Sequence, residues 1–282
     1  MILVRALNVT NQAQSLRAGH FLPIYIIFGT AAANFVFSYL NVGYGILISL
    51  GLVVSVYLIM GAAPLSPPAL RAAESLVLTP MYMLLTSSLP WFVIDQQYLL
   101  PAVYSVILAL IAWHAYRRGM FLPNFREWGF TWRRAGQFIV LGLILGIPTG
   151  VVEYLILTPS PATPGFELTY FLRDVLYMFA FVAVAEEVLF RGMIQKDLCE
   201  YLGPWMGIFL TALFFSIMHM TWRSVPELFF TLGAGLFLGY FRWKSGSLIG
   251  PLAWHGTNNV VLVAVMPYLL RLQPHLDTLP LP

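Results

Sequence analysis

Long apolar stretches recur along the whole chain, and short polar segments rich in turn-forming residues separate them. A helix that crosses a bilayer needs about 20 predominantly apolar residues, and nine stretches reach or approach that length. The pattern therefore predicts an all-α, polytopic membrane protein with about eight or nine transmembrane helices. The predicted spans cover roughly residues 21–40, 44–62, 76–94, 98–116, 135–157, 168–190, 204–220, 226–241 and 247–270.

Composition agrees with this prediction. Of the 282 residues, 59% are hydrophobic and only 10% are charged, and the mean hydropathy of +0.79 lies far outside the usual mix of a soluble domain. The single cysteine, Cys199, excludes an intramolecular disulfide framework. The first residues lack the apolar core and small-residue cleavage site of a secretory leader, so we expect the first span to serve as the signal.

Positive charge is distributed unevenly between the two sides of the predicted helices. If the N-terminus is cytoplasmic, twelve Lys and Arg residues lie on that side and only Arg223 and Arg271 lie on the other, with Arg173 near a helix start. Cytoplasmic loops carry such an excess of positive charge, so the distribution predicts a cytoplasmic N-terminus. The short loops are typical of prokaryotic proteins, and we expect an integral protein of the prokaryotic cell membrane.

One connector is too polar to cross the membrane. Its sequence, "GMFLPNFREWGFTWRR" over residues 119–134, interleaves aromatic and arginine side chains. We expect it to lie at the membrane interface, with Trp128 and Trp132 at headgroup level; an ordinary cytosolic loop is the alternative. It divides the chain into an N-terminal four-helix membrane region (1–118), the connector (119–134) and a C-terminal membrane domain (135–282).

Two adjacent carboxylates, Glu186 and Glu187, lie within a predicted span. A charge at mid-bilayer costs roughly 2.5 to 3.5 kcal/mol on insertion scales, so such residues are functional candidates. Neighbouring residues on a helix point about 100° apart, which gives the two glutamates different surroundings. Glu187 and Arg191 have the i, i+4 spacing of an ion pair, so we interpret them as supporting residues and assign the chemistry to Glu186.

Two further helices carry polar residues at helical spacing. Phe215 and His219 lie one turn apart, as do His255 and Asn259. Considered alone, His219 is more simply explained as a residue at the membrane interface. Considered alone, His255 and Asn259 are more simply explained as residues that hydrogen-bond to a neighbouring helix. Glu186 and His219 lie about 17 residues before and about 16 after Gly203. In an antiparallel hairpin with a rise of 1.5 Å per residue, they reach the same height if the first helix continues to about residue 202.

A carboxylate, two histidines and an amide support two chemistries. In the first, Glu186 and His219 activate a water molecule, and His255 and Asn259 donate hydrogen bonds to the oxyanion of a tetrahedral intermediate; no cofactor is required. In the second, Glu186, His219 and His255 bind Zn²⁺ or another divalent metal. The H-E-x-x-H motif of soluble zinc proteases is absent from the sequence, and Asn259 is a better oxyanion donor than zinc ligand.

Three motifs together resemble the CAAX-processing and bacteriocin-processing family of intramembrane proteases. They read "EEVLFR" from Glu186 to Arg191, "FSIMH" from Phe215 to His219 and "HGTNN" from His255 to Asn259. The resemblance covers roughly residues 170–265. It implies a peptidase site that opens toward the cytosol, with Glu186 and His219 on the water and His255 and Asn259 on the oxyanion. The family includes enzymes described as glutamate-type and as metal-dependent.

The resemblance implies a membrane-associated protein or peptide as substrate, and nothing in the sequence indicates a nucleic acid partner. Two rival functions remain: a non-catalytic scaffold or bacteriocin-immunity factor of the same family, and a transporter that uses Glu153, Glu186 and Glu187 as a proton or cation path. Transporters often show internal repeats and interrupted helices; the sequence shows no repeat, although Pro148 could interrupt one helix. Glu153 lies near a helix end and is expected to snorkel to the interface; the alternative is that it lines a substrate cavity.

Overall fold

The computed structural model describes residues 21–87, 94–119, 132–161 and 163–271, and within these ranges the chain is helical with no strands. It is an all-α, polytopic membrane protein, as predicted. The ten helices named here in chain order are α1 Phe21–Leu40, α2 Val42–Ala62, α3 Pro67–Leu76, α4 Leu78–Ser87, α5 Gln96–Arg117, α6 Trp132–Leu157, α7 Leu168–Leu202, α8 Pro204–Met218, α9 Val225–Ser245 and α10, which runs through Ile249–Val260, Val261–Val265 and Met266–Arg271.

Six of the described helices are long and apolar enough to cross a membrane, namely α1, α2, α5, α6, α7 and α8 with its terminal turn. Helices α9 and α10 coincide with two further predicted spans, and they carry the polar residues Glu227, His255 and Asn259. The total of eight or nine spans stays a prediction. The predicted interfacial connector has its residues 120–131 outside the described ranges, and α6 already begins at Trp132.

In the region of the predicted span over residues 76–94, the structure describes residues 76–87 and 94. Two helices of 10 residues each, α3 and α4, occupy the described part of this region and the segment before it. Helix α3 begins early because the Ser66 side chain accepts a hydrogen bond from the Ala69 amide and Pro67 starts the first turn. The span over residues 76–94 stays a prediction, because residues 88–93 lie outside the described ranges.

Helix α7 extends well beyond its apolar stretch and ends at Leu202, which confirms the predicted extension. Gly203 then makes the turn with a φ of 85°, and Pro204 begins α8; a glycine tolerates this left-handed φ at little cost. Wider π-helical turns at Tyr177–Ala183 and Val188–Ile194 flank the segment with the two glutamates. Such turns occur often at functional sites.

Helices α6 and α10 pack through glycines that the sequence analysis did not single out. Gly142, Gly146 and Gly150 are spaced four residues apart on α6, and a Cβ atom on any of them would lie within 2.7 Å of α10 atoms. At Gly146 the nearest atoms are the Thr257 side chain and the Trp254 carbonyl, both at 2.6 Å. Small residues at this spacing allow membrane helices to approach closely, and here they set the position of His255 and Asn259.

The N-terminal helices pack against α7. Beyond the end of α5, Arg118 forms a bidentate ion pair with Asp197 of α7 at 2.6 and 2.9 Å. Nearer the surface, Arg71 of α3 pairs with Glu200 at 3.0 Å. One apolar core includes side chains from α1 to α5 together with residues of α7 and α8. These contacts hold α5 beside the part of α7 that carries the glutamates.

Candidate active site

The four residues predicted as catalytic line one cavity of about 190 Å³. Glu186 comes from α7, His219 from the turn that ends α8, and His255 and Asn259 from α10. The rise of the α7–α8 hairpin and the i, i+4 spacing on α10 thus bring together residues that lie as many as 73 positions apart in the sequence. Their contacts decide what each group can do.

Glu186 has one hydrogen-bond donor that the sequence analysis missed. The Tyr104 hydroxyl of α5 donates to its Oε1 at 2.5 Å. The other oxygen, Oε2, is buried without a hydrogen-bond partner among the described residues and lies 3.7 Å from Nε2 of His255. One carboxylate oxygen is therefore held in place and the other is left for a ligand or water.

Glu187 makes the ion pair that its spacing predicts. Its Oε1 accepts a hydrogen bond from Arg191 at 3.0 Å, and both side chains are completely buried. The same oxygen also lies 2.8 Å from Nδ1 of His255. Because a carboxylate only accepts, the Nδ1 atom must carry the proton. Glu187 therefore joins the first motif to the third, beyond the pairing with Arg191.

Phe215 lies at the centre of the three motifs. Its ring packs against the His219 ring at 4.6 Å and the His255 ring at 6.0 Å between centroids. The Arg191 guanidinium lies over the same ring, 4.3 Å from its centroid, a favourable cation–π geometry. A smaller residue at this position would leave two imidazoles and a buried cation without their common support.

His219 lies where α8 ends in a short 3₁₀ turn, His219–Trp222. Its Nδ1 is 2.9 Å from the Phe215 carbonyl oxygen, which only accepts, so Nδ1 carries the proton and Nε2 is an acceptor in the neutral ring. The chain turns away immediately afterwards at Arg223, which has a φ of 54°. The histidine is therefore fixed by the end of α8.

Asn259 lines the cavity beside a polar group that sequence reasoning did not assign. Asn258 donates one hydrogen bond to Oδ1 of Asn259 at 3.4 Å and another to Glu153 of α6. The Asn259 amide nitrogen is thus the group left to donate into the cavity. The two adjacent asparagines in "HGTNN" indicate that a second amide lies near the site. The sequence does not indicate which of the two asparagines contacts which helix.

The expectation that Glu153 snorkels to the interface is wrong. Its side chain is only 6% exposed, and it lines the same cavity as Glu186, which was the alternative interpretation. The Glu227 side chain of α9 is also buried, and neither of its carboxylate oxygens has a hydrogen-bond partner among the described residues. Because α6 packs closely on α10, the Glu153 side chain lies between helices and contacts Asn258.

A second cavity of about 330 Å³ meets the first at Glu186, His219, Tyr104 and Trp222. Its other walls come largely from the N-terminal helices α1, α4 and α5. Thr79, Thr86 and Ser87 in these walls donate hydrogen bonds to backbone carbonyls of α3 and α4, and the surface that faces the space is mainly apolar. The catalytic candidates therefore lie at a junction between two cavities, both of which are mainly apolar.

A metal ion requires several protein ligands around one point. Within the described part of the chain, no group of three His, Cys, Asp or Glu side chains is arranged to hold one. Each histidine here has its Nδ1 engaged, by Glu187 or by the Phe215 carbonyl. Nε2 of each ring is left free, and binding of Zn²⁺ by Glu186, His219 and His255 stays the alternative prediction.

The C-terminal helices match a known protein family. Residues 168–261 match the family described as type II CAAX prenyl endopeptidase Rce1-like, which confirms the resemblance noted in the motifs. The match includes every predicted site residue and leaves α1 to α6 outside it. No curated protein and no solved structure gives a significant match to the chain. The family indicates a membrane protease of the CAAX-processing type in general.

Proposed function

We propose that this protein is a glutamate-type intramembrane endopeptidase, since residues 168–261 match the Rce1-like type II CAAX prenyl endopeptidases. In this proposal Glu186 and His219 activate a water molecule, and His255 and Asn259 stabilise the oxyanion. The observation that carries it is the orientation of both imidazoles, whose Nδ1 atoms are engaged outside the cavity that Glu186 shares. Each ring therefore presents Nε2 for chemistry.

Water activation requires two acceptors close to one another. The free Oε2 of Glu186 and the unprotonated Nε2 of His219 both line the cavity, so one water can donate a hydrogen bond to each. Its lone pair then points away from both groups and toward a bound carbonyl carbon. Glu186 is the general base, because its Oε2 is buried at the cavity without a hydrogen-bond partner among the described residues and can accept the proton of that water.

Oxyanion stabilisation requires donors on the opposite side. Nδ1 of His255 already donates to Glu187, so donation from Nε2 requires a doubly protonated ring. Glu187 and Glu186 both lie near enough to compensate the positive charge of that ring. The Asn259 amide supplies the second donor. Preorganised donors of this kind are worth roughly 10²–10³ each in rate.

The reaction balances without a cofactor. Water adds hydroxide to the carbonyl carbon and gives its proton to Glu186, and a tetrahedral oxyanion forms beside His255 and Asn259. The C–N bond then breaks, and Glu186 returns the proton to the leaving amine nitrogen. The products are a carboxylic acid, which loses its proton on release to water, and a free amine, and Glu186 is again ionised.

The substrate in this proposal is a membrane-associated protein or peptide. Two cavities extend from Glu186 and His219 in different directions, which supports a peptide that continues on both sides of the cleaved bond. The predominantly apolar second cavity favours an apolar residue on that side. Location in a prokaryotic cell membrane, with the site open to the cytosol, remains part of the proposal.

Comparison of membrane peptides from cells that produce wild-type or Glu186→Ala protein tests the proposed function. We expect cleavage products that appear only with the wild-type protein, and Glu200→Gln serves as control because Glu200 forms a surface ion pair on the same helix. Identical peptides with wild-type and Glu186→Ala protein would favour the scaffold or immunity factor. A membrane ion flux that depends on Glu153 and Glu186, without cleavage, would favour the transporter.

A further inference from the structure

We propose that Tyr104 is a positioning residue for the catalytic carboxylate, so that α5 completes an active site whose other predicted residues all lie in the matched domain. The inference rests on the proposed role of Glu186 as the base. Tyr104 lies outside the residues 168–261 that match the family. The proposal makes the N-terminal helices part of the catalytic machinery.

The contact is short and directional. The Tyr104 hydroxyl lies 2.5 Å from Oε1 of Glu186, at the short end of the range for a hydroxyl that donates to a carboxylate. Oε2 has no hydrogen-bond partner among the described residues. The single donor on Oε1 thus fixes the rotation of the carboxyl group and directs Oε2 toward His255 and the cavity.

The placement of Tyr104 suits this role. It belongs to the walls of both cavities and lies where they meet. Helix α5 is itself held against α7 by the bidentate ion pair of Arg118 with Asp197. The donor and the carboxylate therefore belong to two helices with a second fixed contact, and small movements of α5 cannot easily release Glu186.

A donor also changes the charge balance of Glu186. A hydrogen bond to the ionised carboxylate favours the ionised form, and ionised Glu186 is the form that accepts a proton from water. Loss of the donor should therefore both misplace the base and make the ionised form harder to reach. The titratable and charged groups that face Glu186 are Tyr82 of α4, Tyr104 of α5, Glu153 of α6, Glu187 and Arg191 of its own helix, His219 of α8 and His255 of α10.

The decisive experiment compares Tyr104→Phe with wild type in lipid nanodiscs. The probe is an internally quenched peptide that carries a cleavage site mapped in cells producing the wild-type protein. We expect kcat to fall ten- to hundredfold with KM within twofold, and the acidic limb of kcat against pH to move to higher pH. Tyr25→Phe is the matched control, since it removes a tyrosine hydroxyl that bonds Ser55 within the N-terminal helices; it should leave kcat, KM and the pH profile unchanged.

A second variant keeps the fold and strengthens the donor. Incorporation of 2,3-difluorotyrosine at position 104 makes the phenol a better donor, so the acidic limb should move to lower pH, opposite to the shift in Tyr104→Phe. An unchanged kcat and pH profile in Tyr104→Phe, or a loss confined to KM, would overturn the inference. A Glu186→Gln protein as active as wild type would instead overturn the proposed function.

Discussion

Oε1 of Glu187 lies 2.8 Å from Nδ1 of His255 while the same oxygen accepts a hydrogen bond from Arg191. This relationship links the proposed oxyanion donor to a buried ion pair on another helix. It sets which nitrogen of His255 faces the cavity and keeps the charge of the ring compensated. Residues that a sequence pattern presents as structural support thus bear directly on the proposed chemistry.

Glu187→Gln should lower both stability and activity. The substitution leaves the completely buried Arg191 without its counter-charge, and breaking one partner of a buried pair costs about 3–5 kcal/mol. We expect a lower thermal unfolding temperature in detergent and a loss of peptidase activity. The double variant Glu187→Leu/Arg191→Met should recover stability without activity. Wild-type activity in the double variant would contradict the assigned link to His255.

Gly146→Ala should separate α6 from α10. Its Cβ would lie 2.6 Å from the Trp254 carbonyl oxygen, and a backbone atom cannot move aside as a flexible side chain can. Overpacking of this kind costs about 1–3 kcal/mol, and we expect a lower unfolding temperature together with reduced kcat. Gly136→Ala on the same helix meets nothing within 4 Å and is the control. Equal stability of the two variants would refute the close-packing argument.

Val103→Phe should weaken substrate binding. Val103 lines the apolar second cavity, and the larger ring takes space that the proposal gives to the substrate. We expect KM to rise roughly tenfold with kcat little changed, the pattern of lost uniform binding. Ala109→Phe, at an exposed position of the same helix, controls for the added ring. A KM that is insensitive to Val103→Phe would place the substrate elsewhere.

Metal removal should leave the activity intact. No group of three ligating side chains is arranged to hold a metal among the described residues, and the proposed steps use only protein groups and water. We expect EDTA and 1,10-phenanthroline to leave kcat unchanged and purified protein to contain no stoichiometric zinc. Inactivation by chelators that added zinc reverses would establish the metallo-endopeptidase instead.

The height of Glu186 and His219 could be predicted because helix rise is constant and Gly203 marks the turn. Helix types and most boundaries followed from apolar length alone. The contacts of Tyr104 and Glu153 could not be predicted. They depend on which helices are neighbours in the bundle and on which face of each helix is turned toward the site. The glycines of α6 held part of that information, since their spacing indicates the face that meets α10, although not its partner.

The early start of α3 shows a second limit. Residues 63–75 lie between two predicted spans, whereas Ser66 and Pro67 start a capped helix within them. Local capping chemistry outweighed hydropathy at this point.

The most direct test of the central claim is hydrolysis of the mapped peptide by purified protein in ¹⁸O-labelled water, with wild type, Glu186→Gln and Glu200→Gln compared. We predict that wild type and Glu200→Gln release a product with ¹⁸O in its new carboxylate, and that Glu186→Gln loses at least a thousandfold in kcat while remaining folded. Cleavage by Glu186→Gln at the wild-type rate would contradict the assignment of Glu186 as the base.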